Sequence, residues 1–203
     1  MTSVLFDMFV AGTDTTSTTL DWAIYFLRNH QDIQKSLQNE IAENISSEQI
    51  FFSDMEKLPM CHAFLLETMR FGSIAPATAP HVITKEFSAG KYTFPKGSTI
   101  EISIFCMSRD RRIFKNPDQF DITNFLKNGK VEIPEDFIPF GIGPRFCVGE
   151  KIARTEAFVF LTNIMKKLSF SPSSMNDSLD DNNSLIGMVR SPGQFLVNIK
   201  ENC

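Results

Sequence analysis

The stretch Phe140-Gly141-Ile142-Gly143-Pro144-Arg145-Phe146-Cys147-Val148-Gly149 decides which fold this sequence indicates. It is a glycine-rich loop that brings one cysteine to the start of a helix predicted over 148–168. Free N–H groups at the helix start and the cation of Arg145 favour negative charge on sulfur, so we expect Cys147 to be a thiolate. A thiolate is a nucleophile or a metal ligand. The alternative is a buried structural cysteine in a glycine turn.

The glycines of this loop indicate that something approaches its backbone closely. Gly141, Gly143 and Gly149 carry no side chain where a large flat group would lie, and Phe140 offers a ring against which that group could pack. The loop therefore predicts a site for a flat ligand beside Cys147.

In residue type and spacing, this loop resembles the ligand loop Phe-x-x-Gly-x-Arg-x-Cys-x-Gly of the cytochrome P450 family, the haem-thiolate monooxygenases. The resemblance implies that haem b is the cofactor, that Cys147 is the axial ligand of its iron, and that Arg145 pairs with a haem propionate. A thiolate ligand pushes electron density onto iron and favours O–O cleavage. The cofactor-binding residues that it implies are Phe140, Gly141, Gly143, Arg145, Gly149 and, on a predicted strand upstream, His81.

A second motif, Ala11-Gly12-Thr13-Asp14-Thr15-Thr16, lies in a long helix predicted over 4–27. An acid and several hydroxyls in an otherwise apolar helix cost free energy unless they are bonded or used. We expect Thr15 to return its hydroxyl to the carbonyl of Ala11, which bends a helix. The motif is similar to the family's (Ala/Gly)-Gly-x-(Asp/Glu)-Thr, which implies that Asp14 and Thr15 are catalytic and relay protons to bound dioxygen. A kink without chemistry is the alternative.

A third motif is carried by a helix predicted over 59–71, with Gly72 as its stop signal. Glu67 and Arg70 share a face of this helix, and an exposed pair of this kind contributes only about 0.2–0.5 kcal/mol. In order and spacing the pair resembles the family's buried, structural Glu-x-x-Arg. Where the family usually has Pro-Glu-Arg-Phe, this chain has Ile122-Thr123-Asn124-Phe125, so the second cation expected near Glu67 is missing.

Between these motifs the sequence indicates short strands. Pro76 and Pro80 exclude helix, strands are predicted over 81–84, 91–94 and 99–104, and Pro95-Lys96-Gly97 supplies a turn with glycine where φ is positive. The alternation of Ile100, Ile102 and Ile104 predicts one inward face of the last strand. The resemblance implies that segment 74–79 lines a substrate pocket, and its small apolar side chains favour a lipophilic substrate.

The order of elements predicts a mainly α chain with a small antiparallel β region, an α+β class similar to the C-terminal, haem-binding half of the family fold. We expect one partial domain: a helical part over 1–72, a β region over 73–108, an irregular segment with the ligand loop over 109–149, and a proximal helix with a terminal β hairpin over 150–203. The last part also contains a Ser/Asn/Asp-rich loop to Asn183 and a strand over 195–199.

The first helix is apolar on nearly every side, which is typical of a helix at the centre of a protein. Only about 170 residues follow it in this chain. We therefore expect the chain to be the C-terminal part of a larger protein.

Composition excludes several classes. The formal charge of -4 leaves no basic field for nucleic acid. The four cysteines, Cys61, Cys106, Cys147 and Cys203, form no C-x-x-C pair, which argues against a zinc ribbon and a secreted disulfide framework and favours a reducing compartment. No run reaches the roughly 18 apolar residues of a membrane span, so we expect no anchor in this chain.

The resemblance implies a partner set. A monooxygenase of this family hydroxylates a lipophilic small molecule with O2 and with electrons that NADPH supplies through a flavoprotein reductase, and animal microsomal members, which this sequence resembles most, act at the cytosolic face of the endoplasmic reticulum membrane. Basic residues around the loop would receive the reductase, or would form only a solvated surface. They are Arg111, Arg112, Lys115, Lys151 and Arg154.

Two other functions remain open from the sequence. One is a thiolate-haem isomerase that acts on peroxides without a reductase; such relatives tend to lack the threonine found here as Thr15. The other is a non-catalytic truncated remnant that binds haem weakly or not at all.

Overall fold

A computed structural model describes residues 2–174, 180 and 183–202. The helices of these residues form the body of the chain and are longest at its start and near its end. The α-helices are α1 (Thr2–Asn29), α2 (Gln31–Asn44), α3 (Pro59–Gly72), α4 (Ile104–Met107) and α5 (Glu150–Lys167), and the 3-10 helices are Phe52–Lys57, Ile122–Asn124 and Gly143–Arg145. None of the described helices is long and apolar enough to cross a membrane.

The strands form two-stranded antiparallel sheets. The pairs are β1 (His81–Val82) with β4 (Thr99–Ile100), β2 (Phe87–Ala89) with β3 (Tyr92–Phe94), β5 (Leu126–Lys127) with β6 (Lys130–Val131), β7 (Leu168–Pro172) with β10 (Val197–Glu201), and β8 (Ser184–Ile186) with β9 (Arg190–Pro192). The described part of the chain is therefore mainly helical with small antiparallel sheets, which confirms the predicted α+β class.

The core forms where the second half of α1 meets α3, α5 and β7. Trp22 is fully buried and stacks on Phe26 at 5.2 Å, and Phe26 stacks on Phe120 at 4.2 Å. Phe64 of α3 meets the Phe120 ring edge-on at 5.5 Å. This aromatic column joins α1 and α3 to the irregular segment before the ligand loop.

The two halves of α1 differ in burial. Its second half is in the core, as predicted for a central helix, whereas residues 3–14 are exposed. The large apolar side chains there are between 48% and 70% exposed, because no described element covers them. They are Val4, Leu5, Phe6, Met8, Phe9 and Val10.

The end of α3 differs from the prediction. Gly72 was expected to terminate the helix, but it is still helical, and the left-handed residue is Ser73 at φ 43°. Gly72 instead lies against Trp22, where a Cβ would come within 3.1 Å of two ring atoms. Close packing, not a turn, requires the glycine.

Several strand predictions were also wrong in extent. The strand predicted over 99–104 ends at Ile100, because Ser103 accepts a hydrogen bond from the Cys106 N–H and starts α4. Ile102 is 42% exposed while Ile104 is buried in α4, so their alternation does not define one strand face. Strands β2, β5, β6, β7, β8 and β9 were not predicted, and the hairpin of β5 and β6 lies in the segment expected to be irregular.

The C-terminal region contains two antiparallel pairs where one hairpin was expected. β8 and β9 pair inside the span that separates β7 from β10, and β10 starts at Val197, two residues later than predicted. Helix α5 starts at Glu150, also two residues later. Part of the predicted Ser/Asn/Asp-rich loop (175–179, 181 and 182) and Cys203 lie outside the described residues.

Candidate functional site

The cysteine loop is closed by its own backbone. The Cys147 N–H donates to the Phe140 carbonyl at 2.9 Å, and the Phe146 N–H donates to Gly143 at 3.1 Å. Gly141 and Gly143 have φ values of 77° and 75°, a left-handed conformation that glycine adopts without steric cost. Two of the three glycines predicted to admit a ligand, Gly141 and Gly143, are therefore needed to fold the loop itself.

Cys147 presents its side chain to the surface. The residue is exposed, and its carbonyl accepts the Glu150 N–H at 3.3 Å where α5 begins. A Cβ on Gly149 would be 3.8 Å from the Cys147 sulfur, so no side chain of the loop covers the sulfur from that side. A buried structural cysteine is thus excluded for Cys147. That description fits Cys61, whose thiol pKa burial raises well above its ordinary value.

Phe140, at the start of the loop, is held by α5. The Arg154 guanidinium lies over its ring at 4.8 Å, and the same guanidinium donates to Glu150 at 2.8 Å. The ring is only partly buried. Arg154 was predicted as part of a basic surface, but here it also positions the loop.

The rest of that basic surface is partly neutralised. Arg111 pairs with Asp118 at 3.2 Å, and Arg112 pairs with Asp110. Lys115 and Lys151 do not occur among the ion pairs of the described residues. The positive field around the loop is weaker than the residue types alone predict.

The motif on α1 has the predicted internal hydrogen bond. The Thr15 hydroxyl donates to the Ala11 carbonyl at 2.8 Å, and the Thr19 hydroxyl donates to Thr15 in the same way. Asp14 is exposed on the same helix turn. Acid and alcohol therefore lie side by side on the accessible half of α1.

Glu67 and Arg70 form a fully buried ion pair. Two Arg70 nitrogens donate to the two Glu67 carboxylate oxygens, each at 2.7 Å, and both side chains have zero exposure. Arg70 also donates to the carbonyls of Ser108, Pro117 and Gln119 at 2.7–2.9 Å. The pair therefore ties α3 to the segment that leads to the ligand loop.

Asn124 occupies the place of the missing cation. Its amide nitrogen donates to both Glu67 oxygens, at 3.2 and 3.3 Å, and the Asp121 N–H adds a bond of 2.7 Å. Burial raises the pKa of Glu67, while Arg70 and these donors lower it, and burial is the largest of these effects. The carboxylate is satisfied by hydrogen bonds without a second positive charge.

The remaining predicted residues lie on the β region. His81 is exposed on β1, opposite Ile100, and segment 74–79 runs from buried Ile74 to exposed Ala79. The predicted residues thus lie in four places: the ligand loop, the α1 motif, the buried pair on α3 and the exposed strand β1.

Two cations at the end of α3 were not predicted. Arg109 is half-buried, Arg190 is only 2% exposed, and both bind the last turn of the helix. Neither belongs to a motif or a periodic pattern in the sequence. Their role depends on contacts between distant positions.

The residues present fit a flat cofactor that carries its own metal. The loop offers one accessible sulfur, two glycines without Cβ atoms and an exposed Phe146. Within the described residues there is no cluster of three His, Cys, Asp or Glu side chains that could hold a metal ion. A soft thiolate suits iron, and a porphyrin supplies the other ligands itself.

Comparison with known proteins gives consistent matches. The family model described as Cytochrome P450 matches residues 1–199. The chain is 39% identical to Cytochrome P450 2J2 of Homo sapiens over 82% of this chain and 33% of that protein. It is 35% identical to a steroid 17-alpha-hydroxylase/17,20 lyase of Squalus acanthias over 98% of this chain and 40% of that protein.

Solved structures agree with the sequence matches. A zebrafish cytochrome P450 solved with abiraterone superposes with a TM-score of 0.88 at 35% identity, over 97% of this chain and 47% of that one. Another, solved with progesterone, has a TM-score of 0.86 at 36% identity, over 95% of this chain and 44% of that one. The chain therefore spans less than half the length of these relatives.

Proposed function

The chain belongs to the cytochrome P450 family, and on that premise we propose that it carries the haem-thiolate centre of a monooxygenase, with Cys147 as the iron ligand. One observation carries the proposal: an exposed cysteine in a loop whose shape is fixed by its own backbone hydrogen bonds and by two left-handed glycines. The isomerase alternative is disfavoured by Thr15.

Haem supplies, when bound, an iron that activates O2 for transfer of one oxygen atom to the substrate. The chain contributes the Cys147 sulfur, whose negative charge strengthens that activation. Arg145 and His81 are cations or hydrogen-bond donors that would hold the two propionates. Phe140 and the loop glycines would pack against the ring edge.

Asp14 and Thr15 would deliver protons. The Thr15 hydroxyl oxygen lies 2.8 Å from the Ala11 carbonyl oxygen, to which it donates, and the hydroxyl can turn from that acceptor to another one within reach. The exposed Asp14 carboxylate can take up a proton from solvent and pass it to the Thr15 oxygen as the hydroxyl gives its own proton away, which restores both groups. This division of roles explains why an acid and an alcohol are adjacent in an apolar helix.

The substrate and partners follow from the same proposal. A lipophilic small molecule is supported by the apolar segment 74–79 and by the progesterone and abiraterone found with the similar zebrafish structures. Electrons would come from NADPH through a flavoprotein reductase that contacts Lys115 and Lys151. The similarity to animal microsomal members supports the endoplasmic reticulum membrane as the location.

Haem reconstitution tests the proposal. The purified chain is mixed with haem, reduced and exposed to carbon monoxide, and the Soret band is recorded. We expect the strong red shift that reports thiolate ligation. Cys147→Ser should remove the shift, because a hydroxyl does not replace the thiolate. Cys106→Ser is the matched control, since Cys106 is also a free, exposed cysteine.

Three results would contradict the proposal: no uptake of haem, a Soret band without the shift, or a shift that survives Cys147→Ser. If the shift occurs, oxygen consumption that depends on NADPH and reductase separates a monooxygenase from an isomerase. Thr15→Ala should then lower product formed per O2 consumed, because proton delivery is impaired.

A further inference from the structure

Two guanidinium groups converge on the C-terminus of α3. Arg190 of β9 donates through one nitrogen to the carbonyls of Phe71 and Gly72, at 2.8 and 2.6 Å. Arg109 donates to the same Phe71 carbonyl at 2.9 Å and to the Ser73 hydroxyl at 3.2 Å. The last carbonyls of the helix are thereby bound from two directions.

The helix end replaces a carboxylate as the anionic partner of these cations. Neither Arg109 nor Arg190 occurs in the ion pairs of the described residues, whereas the C-terminal carbonyls of α3 carry partial negative charge. Burial lowers the pKa of each guanidinium to about 10, so both stay charged at neutral pH. The Nε atom of Arg190 has no hydrogen-bond partner among the residues that the structure describes, which costs free energy.

Aromatic rings hold the two guanidiniums in place. Arg190 lies over the Trp22 ring at 4.6 Å and over Phe105 at 5.4 Å, while Arg109 lies over Phe105 at 3.8 Å. Each contact is a cation–π interaction. The same Trp22 belongs to α1, so the arginine cluster bridges α1 and α3.

The backbone of Arg190 extends this bridge to the substrate-lining segment. Its N–H donates to the Ile74 carbonyl at 2.8 Å, and its carbonyl accepts the Trp22 indole N–H at 3.0 Å. Two residues after Ile74, the Pro76 carbonyl accepts a hydrogen bond from the Phe105 N–H at 2.9 Å. Segment 74–79 is therefore anchored, at its start, to a residue that is itself fixed on α1.

We propose that Arg190 is a positioning residue that sets the path of segment 74–79 relative to α1. The functional importance of this positioning rests on the proposed function, because that segment and α1 would form two walls of the substrate pocket. The contacts of Arg190 themselves do not depend on haem. The Arg190 side chain binds the end of α3 and stacks on Trp22 of α1, and the Arg190 backbone N–H binds the Ile74 carbonyl.

Amide hydrogen exchange on the haem-free chain tests the proposal. Arg190→Met keeps a long side chain but removes the charge and both hydrogen bonds to the α3 carbonyls. Arg190→Lys keeps the charge but lacks the planar guanidinium group. Asn163→Ala is a control for general destabilisation, because Asn163 lies on α5 and binds the backbone of Ile50, away from segment 74–79. We expect peptide 73–83 to exchange roughly tenfold to hundredfold faster in Arg190→Met, with Arg190→Lys between it and the unsubstituted chain.

The comparison with the control decides the outcome. Arg190→Met and Asn163→Ala are compared under conditions in which they have equal thermal stability. If Arg190→Met then speeds exchange of peptide 73–83 no more than it speeds exchange of a peptide from α2, Arg190 only stabilises the fold and the proposal is wrong. Should Arg190→Met not fold, the unsubstituted chain still decides: rapid exchange of the Arg190 amide would exclude its bond to Ile74. Failure of haem binding changes neither result, so the two proposals fail separately.

Discussion

Gly72 shows what a single missing side chain does in this protein. Its Cβ position is 3.1 Å from two atoms of the Trp22 ring, so α3 can pack on α1 only without that atom. Ser73 takes the left-handed conformation in its place, and its hydroxyl donates to the Arg70 carbonyl at 2.8 Å. The position after the glycine, not the glycine, ends the helix.

Gly72→Ala should destabilise the chain by roughly 1–2 kcal/mol, because overpacking against Trp22 outweighs the helix propensity that alanine gains. Gly12→Ala is the matched control: Gly12 is also helical, but nothing lies within 4 Å of its Cβ position, so a gain of up to about 1 kcal/mol is expected. Urea unfolding followed by fluorescence of the single tryptophan measures both. Equal changes in the two variants would contradict the packing role.

Asn124→Ala should lower the free energy of unfolding by about 1–2 kcal/mol, since it removes two hydrogen bonds to the buried Glu67 carboxylate. Thr123→Ala, which alters an exposed hydroxyl next to it, should cost less than about 0.5 kcal/mol. Chemical denaturation at neutral pH gives both values. If the two variants were equally stable, Asn124 would not compensate for the absent arginine.

At the scale of elements, α3 depends on α2 for its N-terminus. The two Glu40 oxygens of α2 accept the N–H groups of Met60 and Cys61 at 2.8 and 2.9 Å, and Pro59 opens the helix without an N–H to satisfy. The carboxylate also opposes the positive end of the helix dipole. A residue on one helix therefore caps another.

Glu40→Ala should destabilise the chain by about 1–2 kcal/mol, the cost of losing an N-cap together with a favourable charge. Glu43→Ala, at an exposed site on the same helix, is its control and should have little effect. Thermal unfolding followed by far-ultraviolet circular dichroism reports the difference. A Glu40→Ala variant as stable as Glu43→Ala would show that solvent replaces the cap.

Helix α2 is in turn fixed to the terminal sheet. The Gln34 side-chain amide donates to the Phe170 carbonyl at 2.9 Å and its oxygen accepts the Phe170 N–H at 2.8 Å. Gln38 donates to Leu168 at 3.1 Å. Glutamines that look like an ordinary polar helix face in the sequence thus bind the backbone of β7.

At the scale of the whole molecule, the first half of α1 presents an exposed apolar surface. Its side chains border a groove of about 430 Å³ between α1 and α5, where Met8 and Phe9 face Ile152 and Phe160. Ile152 and Phe160 are themselves more than half exposed. Contiguous apolar surface of this kind favours association with other apolar groups.

The isolated chain should therefore bind a hydrophobic fluorescent dye and self-associate at micromolar concentration. Replacing Leu5, Phe6 and Phe9 together by serine should reduce dye emission by roughly half or more. The control replaces Leu185, Ile186 and Met188, which are also more than half exposed but lie on the small β8–β9 hairpin. Dye fluorescence and sedimentation give the readout, and equal reductions would contradict a dominant α1 surface.

The sequence by itself determined where the long helices lie, which residues form the cysteine loop, and the bond between Thr15 and Ala11. These features depend on neighbours within about four positions, so periodicity, turn residues and motif spacing predict them. The short strands were predicted less well, since three residues carry too little pattern to define a strand.

Only the tertiary structure decided what the polar side chains face. Glu67 and Arg70 could have been an exposed pair until Arg70 met the Ser108 carbonyl, 38 positions away. Arg190 carries no signal in the sequence, yet it binds Phe71 across 119 positions. Burial and hydrogen bonding of such groups depend on which distant segments pack together, and local spacing along a chain does not contain that information.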